Sequence, residues 1–307
     1  MADTVTGPAA HRRTGAPAEP AVAARGQARM AVERFVHHRL AVAGLAVLAL
    51  LVLVSTVGPL FWHYRYTQIT GQFATPPSLR HPFGTDLIGH DLFAQVMEAE
   101  ATSVKTAVLV TAIATMLGTS VGAVAGYYGG LADAVLMRLT DLILAVPLLA
   151  ILLVLGNKLS QQSGNWFWIA VILAAVLWTP LARQVRGAFL TLREREFVEA
   201  EQAIGASDGR IIVRHMIPNA IGPIVVSATL TTALAILIEA TLSFLGLGIQ
   251  SPEVSLGSLI AGGQDAAATL PWLFFFPEGF LVVTILAVNF IGDGLRDALD
   301  PAQRVHR

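Results

Sequence analysis

Long apolar segments without charged side chains are the feature that most constrains the fold. Residues 40–62 and residues 106–128 each supply 23 residues without a charge. A helix rises about 1.5 Å per residue, so about 20 apolar residues cross the roughly 30 Å hydrocarbon core of a bilayer. Charged residues make up only 13% of the chain, which is too few to cover the surface of a soluble fold of this size. The sequence therefore predicts an integral membrane protein.

Four further apolar segments extend the pattern to about six transmembrane helices in an all-α, polytopic protein. Asp141, in the first of them, is expected to pair with Arg138, three residues away. Pro271 and Pro277 interrupt the last one, so its helix is expected to begin near Pro277. The four segments are residues 139–156, 166–182, 220–249 and 271–292.

The distribution of positive charge predicts that both termini are cytoplasmic. With six spans, 16 of the 20 Lys and Arg residues fall on the side of the termini and only 4 on the other. Loops rich in Lys and Arg stay on the cytoplasmic side. The loop between the fourth and fifth spans is therefore also predicted to be cytoplasmic.

The region before the first span has no apolar periodicity, and residues 1–28 are predicted to be a disordered cytoplasmic tail. Two interpretations of residues 29–39 stay open: an interfacial helix with Met30 and Phe35 towards the membrane, or a simple basic flank. The predicted regions are the tail 1–28, the interfacial helix with the first span 29–62, an extracytoplasmic loop 63–105, a transmembrane core 106–295 that includes the cytoplasmic loop 186–219, and a cytoplasmic carboxyl-terminal segment 296–307.

Residues 186–219 break the membrane pattern. They carry ten charged side chains in 34 residues, whereas two spans can be joined by a few residues. Phe197, Ala200 and Ile204 recur at spacings of three and four, which places them on one face of a helix. Such a long amphipathic connection predicts a surface on which another protein docks.

The same region is predicted to form a helix, a turn and a second helix. The first helix is expected to run to about Ile204, with Gly205 as the left-handed residue that ends it. Ser207 and Asp208 suit the start of the second helix, where a side-chain cap and a negative charge are both favourable. Pro218 is expected to end that helix.

This loop resembles the EAA loop of ABC importer permeases, although Glu201 stands where a second alanine is usual. The flanking sequences GASDGRIIVRHMIPNAIGPIVV, LSFLGLGIQSPEVSLGSLI and NFIGDGLRDALDP resemble the second permease subunit of dipeptide and oligopeptide importers. HPFGTDLIGHD does so too, except that His90 replaces the usual arginine. The resemblance covers about residues 30–302. The residues that match the EAA motif are Glu199, Ala200, Gly205, Ile217 and Pro218.

The resemblance implies a type I ABC importer permease in the bacterial inner membrane that imports peptide, with nickel as the alternative substrate. It implies a homologous permease, two ATP-binding subunits and an extracytoplasmic peptide-binding protein as partners. ATP and Mg²⁺ would then be bound by the partner subunits, with no cofactor in this chain. The residues that it assigns to coupling with the ATPase are Glu199, Ala200, Ile204, Gly205, Ala206, Ser207, Asp208, His215, Pro218 and Asn219.

The sequence contains none of three common catalytic or nucleotide-binding motifs, which agrees with this assignment. The chain contains no GxxxxGK[ST], no HExxH and no GxSxG sequence, so a P-loop, a zinc protease site and a serine hydrolase site of these types are not predicted. A turn-rich loop is expected around His81, Asp86, His90 and Asp91, with an external metal site as the alternative. Asp91 is predicted to cap the helix that leads to Lys105.

Gly118, Gly122 and Gly126 recur every four residues in the second span. In lipid, small residues at this spacing let two helices approach closely, so we predict that this stripe packs against a neighbouring helix. A role in binding phosphate is the alternative.

Glu239 is the acid that lies deepest in a predicted span. A charged side chain there is costly, so it should face protein or water. It is predicted either to line the translocation path or meet the sister permease, or to be a hydrogen-bonded packing residue. An ion-coupled secondary transporter would show inverted repeats and more embedded acids, and a membrane scaffold that recruits an enzyme through the same loop is the other alternative.

Overall fold

The structure, a computed structural model, describes residues 24–152, 154 and 165–299. Helices dominate the described part, which confirms the all-α prediction. The helices are α1 (Ala24–His37), α2 (Arg39–Phe61), α3 (Leu92–Tyr128), α4 (Gly130–Ala145), α5 (Trp166–Arg193), α6 (Glu196–Ala203), α7 (residues 208–219, formed by Asp208–Arg210, the π-helical turn Ile211–Met216 and Ile217–Asn219), α8 (Ile221–Phe244), α9 (Leu256–Gly263) and α10 (Trp272–Leu299).

Five of the described helices, α2, α3, α5, α8 and α10, are long and apolar enough to cross a membrane. They contain or overlap five of the six predicted spans. The predicted third span, residues 139–156, is not among them: α4 ends at Ala145, Val146 adopts an extended conformation, and residues 148–152 are helical again. Pro147 explains this break, because a proline disfavours the α conformation in the residue before it. The end of this predicted span lies outside the described residues.

Three helices differ in length from the predicted segments. The 37-residue helix α3 begins at Leu92 and is about 55 Å long, so the predicted extracytoplasmic loop 63–105 is helical in its last third. The helix that leads from Asp91 to Lys105 is predicted, whereas its continuation into the second span without a break is not; several of the polar residues between positions 95 and 105 are buried. Helix α5 likewise continues past residue 182 to Arg193. Helix α10 begins at Trp272 and continues through Pro277.

The amino-terminal helix α1 packs on the end of α10. The aromatic ring of Phe35 lies against Gly294, and His38 Nε2 lies 3.5 Å from Asp297 Oδ2. Phe35 therefore packs against α10 and does not point towards the membrane as in one of the two open interpretations; Gly294, which has no side chain, leaves space for its ring. Val32 and Val36 are the exposed apolar side chains of α1 instead.

The most extensive helix packing joins α3 to α5, and α10 packs on α2, α8 and α9. A large apolar cluster between α3, α5 and α8 fills the middle of the molecule. A second cluster lies at the end where α3 and α5 meet α6 and α7. The buried apolar residues thus form one cluster among the spans and a second one beside the segment that connects α5 to α8.

Candidate functional site

The connection between α5 and α8 contains α6, a tight turn and α7, here called the helix–turn–helix segment (residues 196–219). Gly205 has a φ of +80°, as the sequence predicts. Its N–H donates to Gln202 O at 3.0 Å, and the N–H of Ala206 donates to Glu201 O at 3.0 Å. These two bonds form a Schellman motif, which ends a helix with a left-handed residue.

The second helix of the segment differs from its prediction. Ser207 has the extended backbone of an N-cap but makes no side-chain capping bond. Helical backbone continues through Pro218 to Asn219. A wide turn precedes the proline, with the N–H of Ile217 bonding back to Ile212 O, so the missing N–H of Pro218 does not break the helical path.

The inner face of the segment is fastened to the spans. Val198, Ile211 and Met216 are fully buried and pack in one cluster with Phe189 of α5. In addition, the hydroxyl of Tyr127, near the end of α3, donates a 2.8 Å hydrogen bond to Asp208 Oδ1. This contact is not evident from the sequence, because only the fold brings the two residues together.

The outer face of the segment carries most of the predicted coupling residues. Ile204 is 79% exposed and Val213 is 64% exposed. His215 Nε2 lies 3.4 Å from Glu201 Oε1 and joins the two helices. Phe197 does not share the outer face, since it packs on the buried cluster. The predicted residues that are exposed are Glu199, Ala200, Ile204, Gly205, Ser207, Asp208, Pro218 and Asn219, whereas Ala206 and His215 are partly buried.

The glycine stripe of α3 lies directly against α5. A Cβ atom at Gly118 would come within 2.8 Å of Trp178 O, one at Gly122 within 2.4 Å of Ala182 O, and one at Gly126 within 2.9 Å of Arg186 O. These distances are shorter than carbon–oxygen contacts allow. The close approach of α3 and α5 therefore requires glycine at each position.

Two ion pairs join α4 to α5 in the part of α5 that precedes the helix–turn–helix segment. Arg186 donates to both carboxylate oxygens of Asp133, and its guanidinium holds the pKa of the Asp133 carboxyl below its usual range. Asp141 bonds to Arg183 rather than to Arg138 as the sequence predicts. The partner chosen is on another helix, which spacing along α4 cannot reveal.

Glu239 is completely buried between α3 and α8. Its Oε2 accepts a hydrogen bond from Ser103 at 2.9 Å, and its Oε1 accepts one from Ser243 at 2.7 Å. The hydroxyl oxygen of Ser103 accepts a further hydrogen bond from the N–H of Leu256, and that of Ser243 accepts one from the N–H of Ile249. Within this chain the carboxyl group thus holds α3, α8 and α9 together, which favours the packing interpretation; a role in the translocation path stays a prediction.

We expect Glu239→Ala to lower the thermal midpoint of the purified protein more than Glu239→Gln. Alanine leaves two buried serine hydroxyls without their acceptor, at about 1–3 kcal/mol for each unpaired group, whereas glutamine keeps one acceptor oxygen and the volume. Thermal unfolding and uptake are to be measured on both variants. A glutamine variant with normal stability but lost transport would contradict a purely structural role.

Glu100 is a second fully buried acid, although its burial is not evident from the sequence. Its Oε1 accepts a 2.8 Å hydrogen bond from Thr284 of α10. Because residue 100 lies in the region that is predicted to be outside the membrane, nothing in the sequence marked it as embedded. The signal that could have found it is the polar spacing of Glu100 and Ser103 on one face of the extended α3.

The turn-rich loop before α3 forms two separate histidine–aspartate pairs. His81 Nδ1 lies 2.7 Å from Asp91 Oδ2, and His90 Nδ1 lies 2.9 Å from Asp86 Oδ2. Asp91 also caps α3 as predicted, since its Oδ1 accepts from the N–H of Ala94 at 2.8 Å. Within the described residues, no group of three or more His, Asp or Glu side chains is arranged to hold a metal ion.

Two sequence families match the chain. The family described as "binding-protein-dependent transport system inner membrane component" matches residues 114–305. The family described as "N-terminal TM domain of oligopeptide transport permease C" matches residues 26–77. The two matches together include all ten of the helices named above, wholly or in part.

Relatives match almost the full length. The oligopeptide transport system permease protein OppC of Mycobacterium tuberculosis (strain ATCC 25618 / H37Rv) is 42% identical over 276 residues, which cover 90% of this chain and 94% of the relative. OppC of Bacillus subtilis (strain 168) is 38% identical and covers 89% of both. A putative peptide permease of Brucella suis is 41% identical over 91% of this chain and 92% of its own length.

A solved structure shares the fold. It is an inward-facing conformation of the MetNI methionine ABC transporter, with a TM-score of 0.53 and 19% sequence identity. The match covers 68% of this chain and 96% of that one.

Proposed function

Because the chain belongs to the family of binding-protein-dependent transport system inner membrane components, we propose that it is the transmembrane permease subunit of an ATP-driven peptide importer. The observation that supports peptide as the substrate is the 42% identity, over 90% of the chain, to an oligopeptide permease. The relatives described above are peptide permeases, which favours peptide over nickel. The alternatives of an ion-coupled transporter and of a membrane scaffold are not supported, because family membership makes the chain a transport permease.

The helix–turn–helix segment is proposed to receive the movement of a separate ATPase. Its outer face, with Ile204 and Val213, offers apolar side chains to a partner. Its inner face is joined to α5 through the buried cluster and to α3 through Asp208 and Tyr127. A displacement of the segment is thus passed to two spans. The segment can transmit this movement only if its binding free energy differs between the two states of the ATPase.

The assembly that follows from this proposal contains a homologous permease, two ATP-binding subunits and an external peptide-binding protein. ATP and Mg²⁺ are bound by the ATP-binding subunits, and this chain performs no catalysis. The chain crosses the bacterial inner membrane several times, with both termini and the helix–turn–helix segment in the cytoplasm. Peptide passes between the two permeases when they alternate between outward and inward access.

Cysteine crosslinking tests this proposal, because the chain has no native cysteine. We expect Ile204→Cys and Val213→Cys to crosslink to the ATP-binding subunit, with a yield that changes when ATP is added. Leu79→Cys is the matched control, since Leu79 is a fully exposed apolar residue in the loop before α3. It should be labelled from outside the cell and should not reach the ATPase. Labelling of residue 204 from outside would contradict the proposed orientation and the coupling role.

A further inference from the structure

A cleft of about 630 Å³ lies beside the helix–turn–helix segment. Helix α1 forms one wall, and the last turns of α5 with the start of α8 form the other. The end of α10 closes it at Leu299. Of the predicted coupling residues, Pro218 and Asn219 line this cleft.

The lining of this cleft is positive and otherwise apolar or uncharged. Arg34 of α1 and Arg195, the residue before α6, are its two charged residues, and no acid is among the described residues that line it. Neither arginine forms an ion pair within the described part of the chain. Guanidinium groups are always charged and match phosphate oxygens in geometry. The cleft therefore suits a phosphate-bearing ligand.

The remaining lining indicates that this ligand is amphipathic. Leu192, Phe197 and Ile221 line the same cleft and contribute apolar surface to it. Ile221 is the first residue of the apolar span α8 and is 48% exposed. A small soluble anion would leave this apolar surface uncovered. A phospholipid places its phosphate at this level and its acyl chains along the apolar helix.

Helix α1 supports a position at the level of the headgroups. Val32 and Val36 are 62% and 60% exposed, and their spacing of four places them on one face of α1. Arg34 lies between them in sequence and therefore on the opposite side of the helix. A helix in the membrane interface buries such an apolar face at the acyl boundary and keeps its charged side among the headgroups.

We propose that this cleft binds the headgroup of an anionic phospholipid of the cytoplasmic leaflet, with its phosphate held by Arg34 and Arg195. Basic pockets between helices on the cytoplasmic side of membrane proteins attract such lipids. The bound lipid joins α1 to Phe197, at the start of the helix–turn–helix segment. Only the assignment to the cytoplasmic leaflet rests on the proposed function, because that function sets the orientation of the chain in the membrane.

Lipid titration of the purified full-length assembly in detergent, followed by native mass spectrometry, tests the site. Phosphatidylglycerol is expected to bind more tightly than phosphatidylcholine. Arg34→Gln combined with Arg195→Gln should weaken phosphatidylglycerol binding about thirty-fold. The double lysine variant should retain most of the affinity. Arg138→Gln combined with Arg193→Gln removes two exposed arginines outside the cleft and should change nothing.

Three results would overturn the proposal. The first is unchanged phosphatidylglycerol binding by the double glutamine variant. The second is displacement of the lipid by an equal concentration of inorganic phosphate, which would make the ligand a free anion. The third is a photo-crosslinker at Ile221 that reaches an ATP-binding subunit instead of lipid. Because binding is measured without transport, a chain that binds this lipid but imports no peptide contradicts only the proposed function.

Discussion

Gly205→Asp is expected to leave the protein inserted in the membrane but to abolish the coupling of ATP hydrolysis to peptide uptake. Gly205 has a φ of +80°, a conformation that costs a residue with a Cβ about 1–2 kcal/mol. No atom lies within 4 Å of the added Cβ, so the strain comes from the backbone and not from a clash. We expect uptake to fall about tenfold or more, since 1–2 kcal/mol corresponds to a factor of about 5–30.

Two variants separate backbone strain from the new charge in this experiment. Gly205→Asn has the size of aspartate without the charge and shares its partial tolerance of the left-handed region, so an equal loss of uptake in both variants would assign the effect to backbone strain and not to the charge. Gly209→Asp places the acid four residues away at a glycine without a positive φ and with open space around it. Peptide uptake and substrate-stimulated ATPase activity are the measurements. Normal uptake by Gly205→Asp would refute the coupling role of the turn.

Features that depend on a few neighbouring residues could be predicted from the sequence. The left-handed turn at Gly205 follows from a helix pattern that stops at a glycine, and the cap at Asp91 follows from an acid before a helix. The apolar spans follow from length and the lack of charge. In each case a few neighbouring residues determine the local structure, and contacts with the rest of the fold do not change it.

Contacts between distant segments could not be predicted. Asp208 accepts from Tyr127, 81 residues away, and Asp141 pairs with Arg183, 42 residues away, although a closer arginine was available. Glu100 was missed because its partner, Thr284, lies 184 residues away on another helix. Polarity along a sequence shows that a residue needs a partner but not whether water or another helix provides it.

The packing of α3 against α5 determines whether movement of the helix–turn–helix segment can reach the spans. Both helices hold this segment, and the glycine stripe brings their backbones together along much of their length. Because the stripe leaves no room between the helices, they are expected to move as one unit when the segment is displaced. A substitution that separates them should therefore damage stability and transport together.

Gly122→Leu is expected to eliminate most of the folded protein, and Gly122→Ala to lower its thermal midpoint by about 5 °C. A Cβ at Gly122 would lie 2.4 Å from Ala182 O and 2.8 Å from Val185 Cβ, and a backbone carbonyl cannot rotate away as a flexible side chain can. Gly279 of α10 is the matched control, because no atom lies within 4 Å of its Cβ position. Alanine there removes a helix glycine that costs about 1 kcal/mol, so Gly279→Ala should be neutral or stabilising, and Gly279→Leu should still fold. Equal midpoints for the two alanine variants, measured by thermal unfolding of the purified protein, would show that α3 and α5 can separate without cost.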